Sequence, residues 1–350
     1  MGHRPLDRRR SPRARRASGE PRPLSHAARL AAQGLTGPPL ASPEAVCERL
    51  LAVQGQDGRG FRLAVRSRTA GLSASDVDAG LSSGALLVTW LNRGTLHLVR
   101  SEDHPWLFAL TTPQLRTGNL RRLEQEGVSA RQAEKGVKII EKEAAGGPVT
   151  RAVLRERLSS AGVPVAGQAF IHVVFLAALR GLIVRGPVID GEHCFVLLED
   201  WLGPQPAVDR DAALRELGRR YLAGHGPADA RDLAKWAGIG LRDARAALAG
   251  QPQAAAPPQC EDAAARPKLL GPFDPLLLGW ADRRPVVGDH AGIVTSNGIF
   301  RPIALVEGRA AATWTMPRGI VQLAPFGRLS KAVRDALAAE AADVERFLAS

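Results

Sequence analysis

The stretch Gln54-Gly55-Gln56-Asp57 has residue types and a spacing that could orient a water molecule. Two side chains separated by one residue diverge by about 200° on a helix but point the same way on an extended segment. Gly55 is of the type that commonly ends a helix, so the preceding helix is expected to stop near it and both amides can converge on one point. A glutamine is not a base, yet two glutamines can hold a water between an acceptor oxygen and a bond to be broken. The alternative is a solvated helix exit with no chemistry.

Three further side chains are candidates to support this chemistry. Asp57 could act as a base or add negative charge near a developing positive charge, whereas its alternative is a turn or cap residue. Thr95 and His97 alternate onto one face of a predicted strand, where they could line the same cleft or maintain the fold. No second histidine or carboxylate sits at ligand spacing from His97, and the three cysteines are scattered. The sequence therefore predicts no metal site and no cofactor.

These residues lie between a helix and a hairpin. Ser42 is expected to cap the helix that leads into the glutamines, and strands at 85–91 and 95–99 flank the turn Asn92-Arg93-Gly94. Helices followed by a small hairpin are the pattern of a winged helix.

The pattern recurs along the chain. Thr150 is expected to cap a helix of a second group, which ends in strands at 182–184 and 194–198. Helices between 211 and 249 form a third group, and the region 269–314 reads as strands with a hairpin at Asn297-Gly298. Ser330 can cap a closing Ala-rich helix.

We therefore predict an α+β fold, mainly α, of three tandem winged-helix modules with added β-strands near the C-terminus. The alternative is that generic helices are being overinterpreted. The predicted divisions are a disordered Arg-rich tail at 1–23, a first winged helix with the Gln-Gly-Gln motif at 24–144, a second at 145–208, and a third with a β-hairpin region and C-terminal helix at 209–350.

Charge points to an anionic partner. The 350-residue chain has 47 basic and 35 acidic residues, a net charge of +12. The tail carries eight arginines against Asp7 and Glu20, either as a phosphate-attracting arm or as a segment without a role. Arginines of the folded part would contact DNA phosphates without reading sequence, although each alone is usually a solvated charge. The predicted DNA-binding residues are Arg66, Arg68, Arg93, Arg116, Arg121, Arg122 and Arg318.

The hydropathy pattern gives no reason to expect a membrane protein. The sequence has no apolar run of about 18 residues, and its N-terminus lacks the apolar centre of a secretory signal. Few cysteines fit a reducing compartment. We expect a cytoplasmic, nucleoid-associated protein.

Four motifs in order resemble one known family. They are Gln54-Gly55-Gln56-Asp57, Arg93-Gly94-Thr95-Leu96-His97-Leu98-Val99 followed by Ser101-Glu102-Asp103, Phe273-Asp274-Pro275-Leu276-Leu277-Leu278-Gly279-Trp280 with Asp282-Arg283, and Asn297-Gly298-Ile299-Phe300-Arg301-Pro302. Together they are similar to the AlkZ/YcaQ-like winged-helix DNA glycosylases over residues 24–349. The Gln-x-Gln pattern places the chain in the AlkZ branch, although Gly55 stands where the family has an aliphatic residue.

The resemblance implies a C-shaped arrangement of three winged helices around double-stranded DNA. It implies that Gln54 and Gln56 are catalytic, and that the protein is a monomeric, monofunctional glycosylase. The expected substrates are bulky N7-alkylated purines, with unhooking of interstrand crosslinks in self-resistance to a genotoxic natural product. Alternatives are a non-catalytic winged-helix DNA-binding regulator, if Gly55 disarms the motif, and a resistance protein that binds adducts without cutting.

Overall fold

The computed structural model describes residues 26–253 and 266–349, so the predicted tail at 1–23 lies outside it. The helices are α1 His26–Ala32, α2 Pro43–Leu50, α3 Gly58–Arg66, α4 Ala74–Ser82, α5 His104–Thr111, α6 Leu115–Gln125, α7 Ala130–Ala144, α8 Arg151–Ser160, α9 Ala169–Leu179, α10 Leu198–Leu202, α11 Arg210–His225, α12 Ala230–Ala237, α13 Leu241–Leu248, α14 Pro275–Leu278, α15 Arg284–Val287 and α16 Lys331–Leu348. The strands are β1 Val53–Gln54, β2 Leu86–Leu91, β3 Thr95–Arg100, β4 Ile183–Ile189, β5 Glu192–Leu197, β6 Lys268–Leu270, β7 Ile303–Val306, β8 Arg309–Thr315 and β9 Gln322–Pro325.

Three helices begin at the serine or threonine residues that the sequence predicts as their N-caps. The side chains of Ser42, Thr150 and Ser330 accept hydrogen bonds from backbone N–H groups three residues later, at 3.2, 3.3 and 3.3 Å. Such bonds satisfy donors that the first turn of a helix cannot pair internally. The predicted starts of α2, α8 and α16 are therefore confirmed.

The strands form two antiparallel sheets. One has the order β1-β3-β2-β4-β5, and the other has the order β6-β7-β8-β9. The two predicted hairpins, β2–β3 and β4–β5, belong to the same sheet, because β2 pairs with β4 at Val88 and Arg185. The mixed fold of helices and antiparallel sheets predicted from the sequence is confirmed.

The five-stranded sheet is buried on both faces. Val88 and Leu98 pack into one apolar cluster, which includes Phe170 of α9. Leu87 and Leu91 pack into a second cluster, which includes Leu217 of α11. A sheet buried on both sides is a rigid support for the residues at its edge.

The predicted hairpin at Asn297-Gly298 needs correction. That turn carries only a single bridge, between Val294 and Phe300. The hairpin of this region is β7–β8, whose turn uses Glu307 and Gly308 at φ of 50° and 75°. Both residues have positive φ, as a type I′ hairpin turn requires. The predicted run of strands is also interrupted, because α14 and α15 lie between β6 and β7.

Candidate active site

Gln54 lies on an edge strand and not at a helix exit. Helix α2 ends at Leu50, and Leu51 adopts a left-handed backbone conformation with φ of 70°. The chain then pairs with β3, with Gln54 opposite His97, and the Gly55 N–H donates to the Leu96 carbonyl at 2.6 Å. The expectation that the helix continues to Gly55 was wrong, because the chain reverses without a glycine.

The amide of Gln54 is buried beside a small cavity. The residue is 7% exposed, and its Oε1 accepts no hydrogen bond from the part of the protein that the structure describes. The cavity has a volume of about 10 Å³ and is lined by Gln54, His97, Arg93 and Trp236, among others. A buried carbonyl oxygen without a partner is costly, so an unpaired acceptor on a residue that lines this space suits a water or a ligand. The volume is that of about one water molecule.

His97 is a neutral neighbour of this amide. Its Nδ1 lies 2.8 Å from the Thr95 carbonyl, which can only accept, so Nδ1 carries the proton. Nε2 is then an acceptor, and the Asn92 Nδ2 group donates to it at 3.5 Å. Burial lowers the pKa of His97 to about 3, and Arg93 also lowers it. Near neutral pH, the Nε2 atom of His97 is thus a hydrogen-bond acceptor, and the ring is not a general acid.

Thr95 stands beside His97 on the same strand. Its hydroxyl Oγ1 is buried and has no hydrogen-bond partner among the described residues. The carbonyl of Thr95 fixes the tautomer of His97, so the two residues predicted to act together are joined by a hydrogen bond.

Gln56 and Asp57 occupy a different environment from Gln54. Gln56 is exposed in a bend, whereas Gln54 is buried. Asp57 caps α3: its Oδ1 accepts from the N–H groups of Arg59 at 2.9 Å and Gly60 at 2.8 Å. The cap fixes the carboxylate at the end of the motif and occupies one of its two oxygens.

Gly55, between the glutamines, is buried against the sheet. A Cβ at this position would lie 3.4 Å from the Val88 side chain and 3.6 Å from the Leu96 backbone. These are ordinary van der Waals distances, so the backbone at Gly55 does not require a glycine.

The segment 272–278 lies against both ends of the Gln54–Asp57 segment. Pro275 lines the small cavity at Gln54, and Phe273 lines a larger cleft of about 280 Å³ that begins at Asp57. Close backbone packing holds the segment there, because a Cβ on Gly60 would lie only 2.5 Å from the Pro272 carbonyl oxygen. The candidate site is therefore built from residues more than 200 positions apart.

Two predicted DNA-binding arginines need correction. Arg68 is 1% exposed and pairs with Asp274 through two 3.0 Å hydrogen bonds. Arg66 is 5% exposed, and its guanidinium pairs with Glu340 at 2.8 Å and Asp343 at 2.7 Å. Buried and already neutralised, neither group can reach a phosphate in this conformation. Sequence reasoning missed these pairs because their partners are remote.

The other predicted arginines are exposed. Arg93 lines the cavity of Gln54 and also donates to the carbonyls of Lys235 and Trp236 at 2.7 and 3.1 Å. Arg122 pairs with Glu126 at 2.8 Å, yet its side chain is 47% exposed. Arg116 and Arg121 of α6 and Arg318 before β9 are exposed as well. Only Arg93 is placed beside the glutamine.

Two negative findings concern the described ranges 26–253 and 266–349. In them, no three His, Cys, Asp or Glu side chains are grouped so that they could bind a metal ion. No helix in the same ranges has the length and apolar character needed to cross a membrane.

Comparisons with known proteins agree with the motifs. A family model described as DNA glycosylase AlkZ-like matches residues 47–347. An interstrand DNA cross-link repair glycosylase of Streptomyces sahachiroi is 27% identical over 345 residues, covering 86% of this chain and 89% of that relative. The solved structure of Streptomyces sahachiroi DNA glycosylase AlkZ is similar with a TM-score of 0.72 at 24% identity, covering 92% of this chain and 95% of that one.

Proposed function

Because the chain belongs to the AlkZ-like DNA glycosylase family, we propose that it hydrolyses the N-glycosidic bond of bulky N7-alkylated purines in double-stranded DNA. The observation that carries this proposal is the buried Gln54 amide, which lines a cavity the size of one water and whose Oε1 has no hydrogen-bond partner among the described residues. The similarity to a cross-link repair glycosylase supports a role in unhooking interstrand crosslinks. Self-resistance to a genotoxic natural product is the setting that we propose for this activity.

The chemistry suits an amide and needs no strong acid. Alkylation at N7 makes the purine cationic, so it leaves with the electrons of the C1′–N9 bond and becomes neutral. The oxygen of a water then bonds to C1′, and a water proton is released. The barrier lies in the positive charge that develops on the sugar, and an oriented water lowers it. In this proposal Gln54 accepts one hydrogen of this water, and the exposed Gln56 contacts the same water.

Two neighbours support the glutamines in this proposal. His97 is a positioning residue, since its neutral ring shares the cavity with Gln54 and offers Nε2 as an acceptor. Asp57 keeps one carboxylate oxygen outside its capping bonds, and this oxygen can stabilise the sugar cation or take the released proton. Thr95 contributes by fixing the tautomer of His97.

Exposed arginines would hold the duplex. Arg93 lies at the cavity itself, so it would contact a phosphate next to the lesion. Arg116, Arg121, Arg122 and Arg318 would bind phosphates farther along the DNA. A monomer with three winged-helix modules at 24–144, 145–208 and 209–350, curved around the duplex, remains part of the proposal.

The test is release of free modified base from duplexes that contain one N7-methylguanine, one bulky N7 adduct or one interstrand crosslink. In single-turnover reactions, Gln54→Ala should lower excision by about 100-fold or more with little change in DNA affinity. Gln322→Ala, an exposed glutamine of β9, is the matched control and should excise at the wild-type rate.

The outcome separates the enzyme from its alternatives. Binding of damaged duplex by the wild-type protein without base release would support a non-catalytic regulator or an adduct-binding resistance protein. Release by Gln54→Ala at the wild-type rate would remove Gln54 from the mechanism.

A further inference from the structure

A cleft of about 280 Å³ opens next to the candidate active site. Its lining includes Asp57 and Arg59, which follow the glutamines in the chain, and the segments 272–273 and 299–302. Two aromatic rings stand in this wall: Phe273 and Phe300, with ring centroids 5.6 Å apart and planes at 42°. The cleft is thus an aromatic-walled space that shares Asp57 with the motif and has neither glutamine in its lining.

Phe273 holds its ring there at the expense of backbone strain. Its φ is +57°, in the left-handed region that bulky side chains rarely adopt. Such conformations persist only where the surroundings fix them, and they cluster at functional sites. Here Asp274, the next residue, caps α14 and pairs with the buried Arg68, while Gly60 packs against Pro272 on the other side.

The rim of the cleft is cationic. Arg59 and Arg301 lie on it, and the guanidinium carbon of Arg283 sits 4.9 Å from the centre of the Phe300 ring. Asp57 is the acidic side chain of the lining, and one of its oxygens is used by the α3 cap. An apolar aromatic wall with positive charges at its edge suits a flat aromatic group that is attached to a phosphate chain.

We propose that the cleft walled by Phe273 and Phe300 binds an aromatic substituent carried on the modified purine. The inference rests on the proposed glycosylase function, because the glutamines then mark where the glycosidic bond lies. The cleft includes Asp57 but neither glutamine in its lining, so it is suited to what is attached to the purine rather than to the purine itself. Phe273 is thereby a specificity-determining residue that favours lesions with a planar apolar group.

The test compares two duplexes that differ by one ring. One carries a single N7-methylguanine and the other a single N7-benzylguanine, so charge and scissile bond are the same. The variant is Phe273→Gly, which removes the ring and accepts the positive φ. Phe273→Trp keeps an aromatic surface, and Phe326→Leu is the control at an exposed phenylalanine that does not line the cleft. Thermal unfolding checks that each variant folds.

The measured quantity is the preference for the benzyl over the methyl substrate, as a ratio of kcat/KM values. We expect Phe273→Gly to lower this ratio about tenfold, the scale of losing one stacking surface. Phe273→Trp should restore most of the ratio, and Phe326→Leu should leave it unchanged. The preference in binding affinity for the benzyl over the methyl duplex, measured by fluorescence anisotropy, should also fall in Phe273→Gly.

Two results overturn the inference. An unchanged ratio in folded Phe273→Gly, or in Phe300→Leu if the glycine variant does not fold, would show that the rings do not contact the substituent. An equal loss on both substrates would make Phe273 a structural residue while leaving the glycosylase function in place. If the wild-type protein excises neither base yet binds the benzyl duplex more tightly, the proposed function fails and the cleft assignment stands.

Discussion

Replacing Arg68 by lysine separates a structural role from a DNA-binding role, because lysine keeps the charge. The guanidinium uses every nitrogen in buried contacts. Nε donates to the Gln33 carbonyl at 2.8 Å, Nη1 donates to Ala64 O and Ser67 Oγ, both at 2.9 Å, and each Nη donates to one Asp274 oxygen at 3.0 Å. Nη2 also donates to Gln33 Oε1 at 3.0 Å.

A lysine cannot reproduce this set. Its single nitrogen cannot span two carboxylate oxygens and also reach Gln33 and Ala64. At least two buried acceptors would lose their donor, at about 1–3 kcal/mol each. We therefore expect Arg68→Lys to lower the free energy of unfolding by about 2–6 kcal/mol. Arg68→Met leaves the Asp274 carboxylate buried and unpaired, and it should lower the free energy of unfolding by about 3–5 kcal/mol.

Urea denaturation measures the loss, with Arg116→Lys as the matched control at an exposed arginine. The control should change the unfolding free energy by less than about 0.5 kcal/mol. DNA affinity is measured in parallel, at a temperature where Arg68→Lys is folded. In this variant, the slope of log affinity against log salt concentration should equal that of the wild type. Wild-type stability in Arg68→Met, together with a slope smaller by about 0.9, would refute the structural assignment and restore Arg68 as a phosphate contact.

Three more predictions concern the motif itself. If one water is held by both amides, Gln54→Ala combined with Gln56→Ala should slow single-turnover excision by much less than the product of the single effects, and multiplicative losses would mean that they act separately. Since burial keeps the pKa of His97 at about 3, against about 6.5 in the unfolded chain, unfolding takes up a proton between these values. Above pH about 6.5, His97 therefore causes no change in the free energy of unfolding with pH. As the pH drops toward 3, the free energy of unfolding falls by at most about 1.4 kcal/mol per pH unit. His97→Gln should flatten that slope in urea melts, and an unchanged slope would contradict it. Gly55→Ala should fit, with excision within about threefold of wild type, and a tenfold loss would show that the glycine is required.

Local signals in the sequence were enough to place most elements. Ser42, Thr150 and Ser330 start their helices as predicted, and the turn at Asn92 joins two strands as predicted. These features depend on neighbours within a few residues, so the sequence contains the whole cause. The end of α2 was missed because Leu51, a poor candidate for a positive φ, is held there by the burial of its side chain at 0% exposure.

The candidate site was predicted only in part, because much of it depends on contacts between residues far apart in the chain. The motif identifies Gln54, but its burial depends on pairing with β3 and on the segment 272–278, neither of which periodicity can place. Arg68 looked like any other arginine because its partner Asp274 is 206 positions away. Phe273 opens one of the four motifs, but its left-handed backbone conformation leaves no trace in the sequence.

The contact between Gly60 and Pro272 sets an order of events during protein synthesis. The ribosome makes the glutamine motif early, whereas the segment that walls it follows about 215 residues later, or roughly 10–40 s at usual elongation rates. Until then, Pro272 does not cover Gly60 and the aromatic wall does not exist. A growing chain therefore carries the glutamine motif before it carries the segment that walls it, and the candidate site is complete only once residues 272–278 have been made.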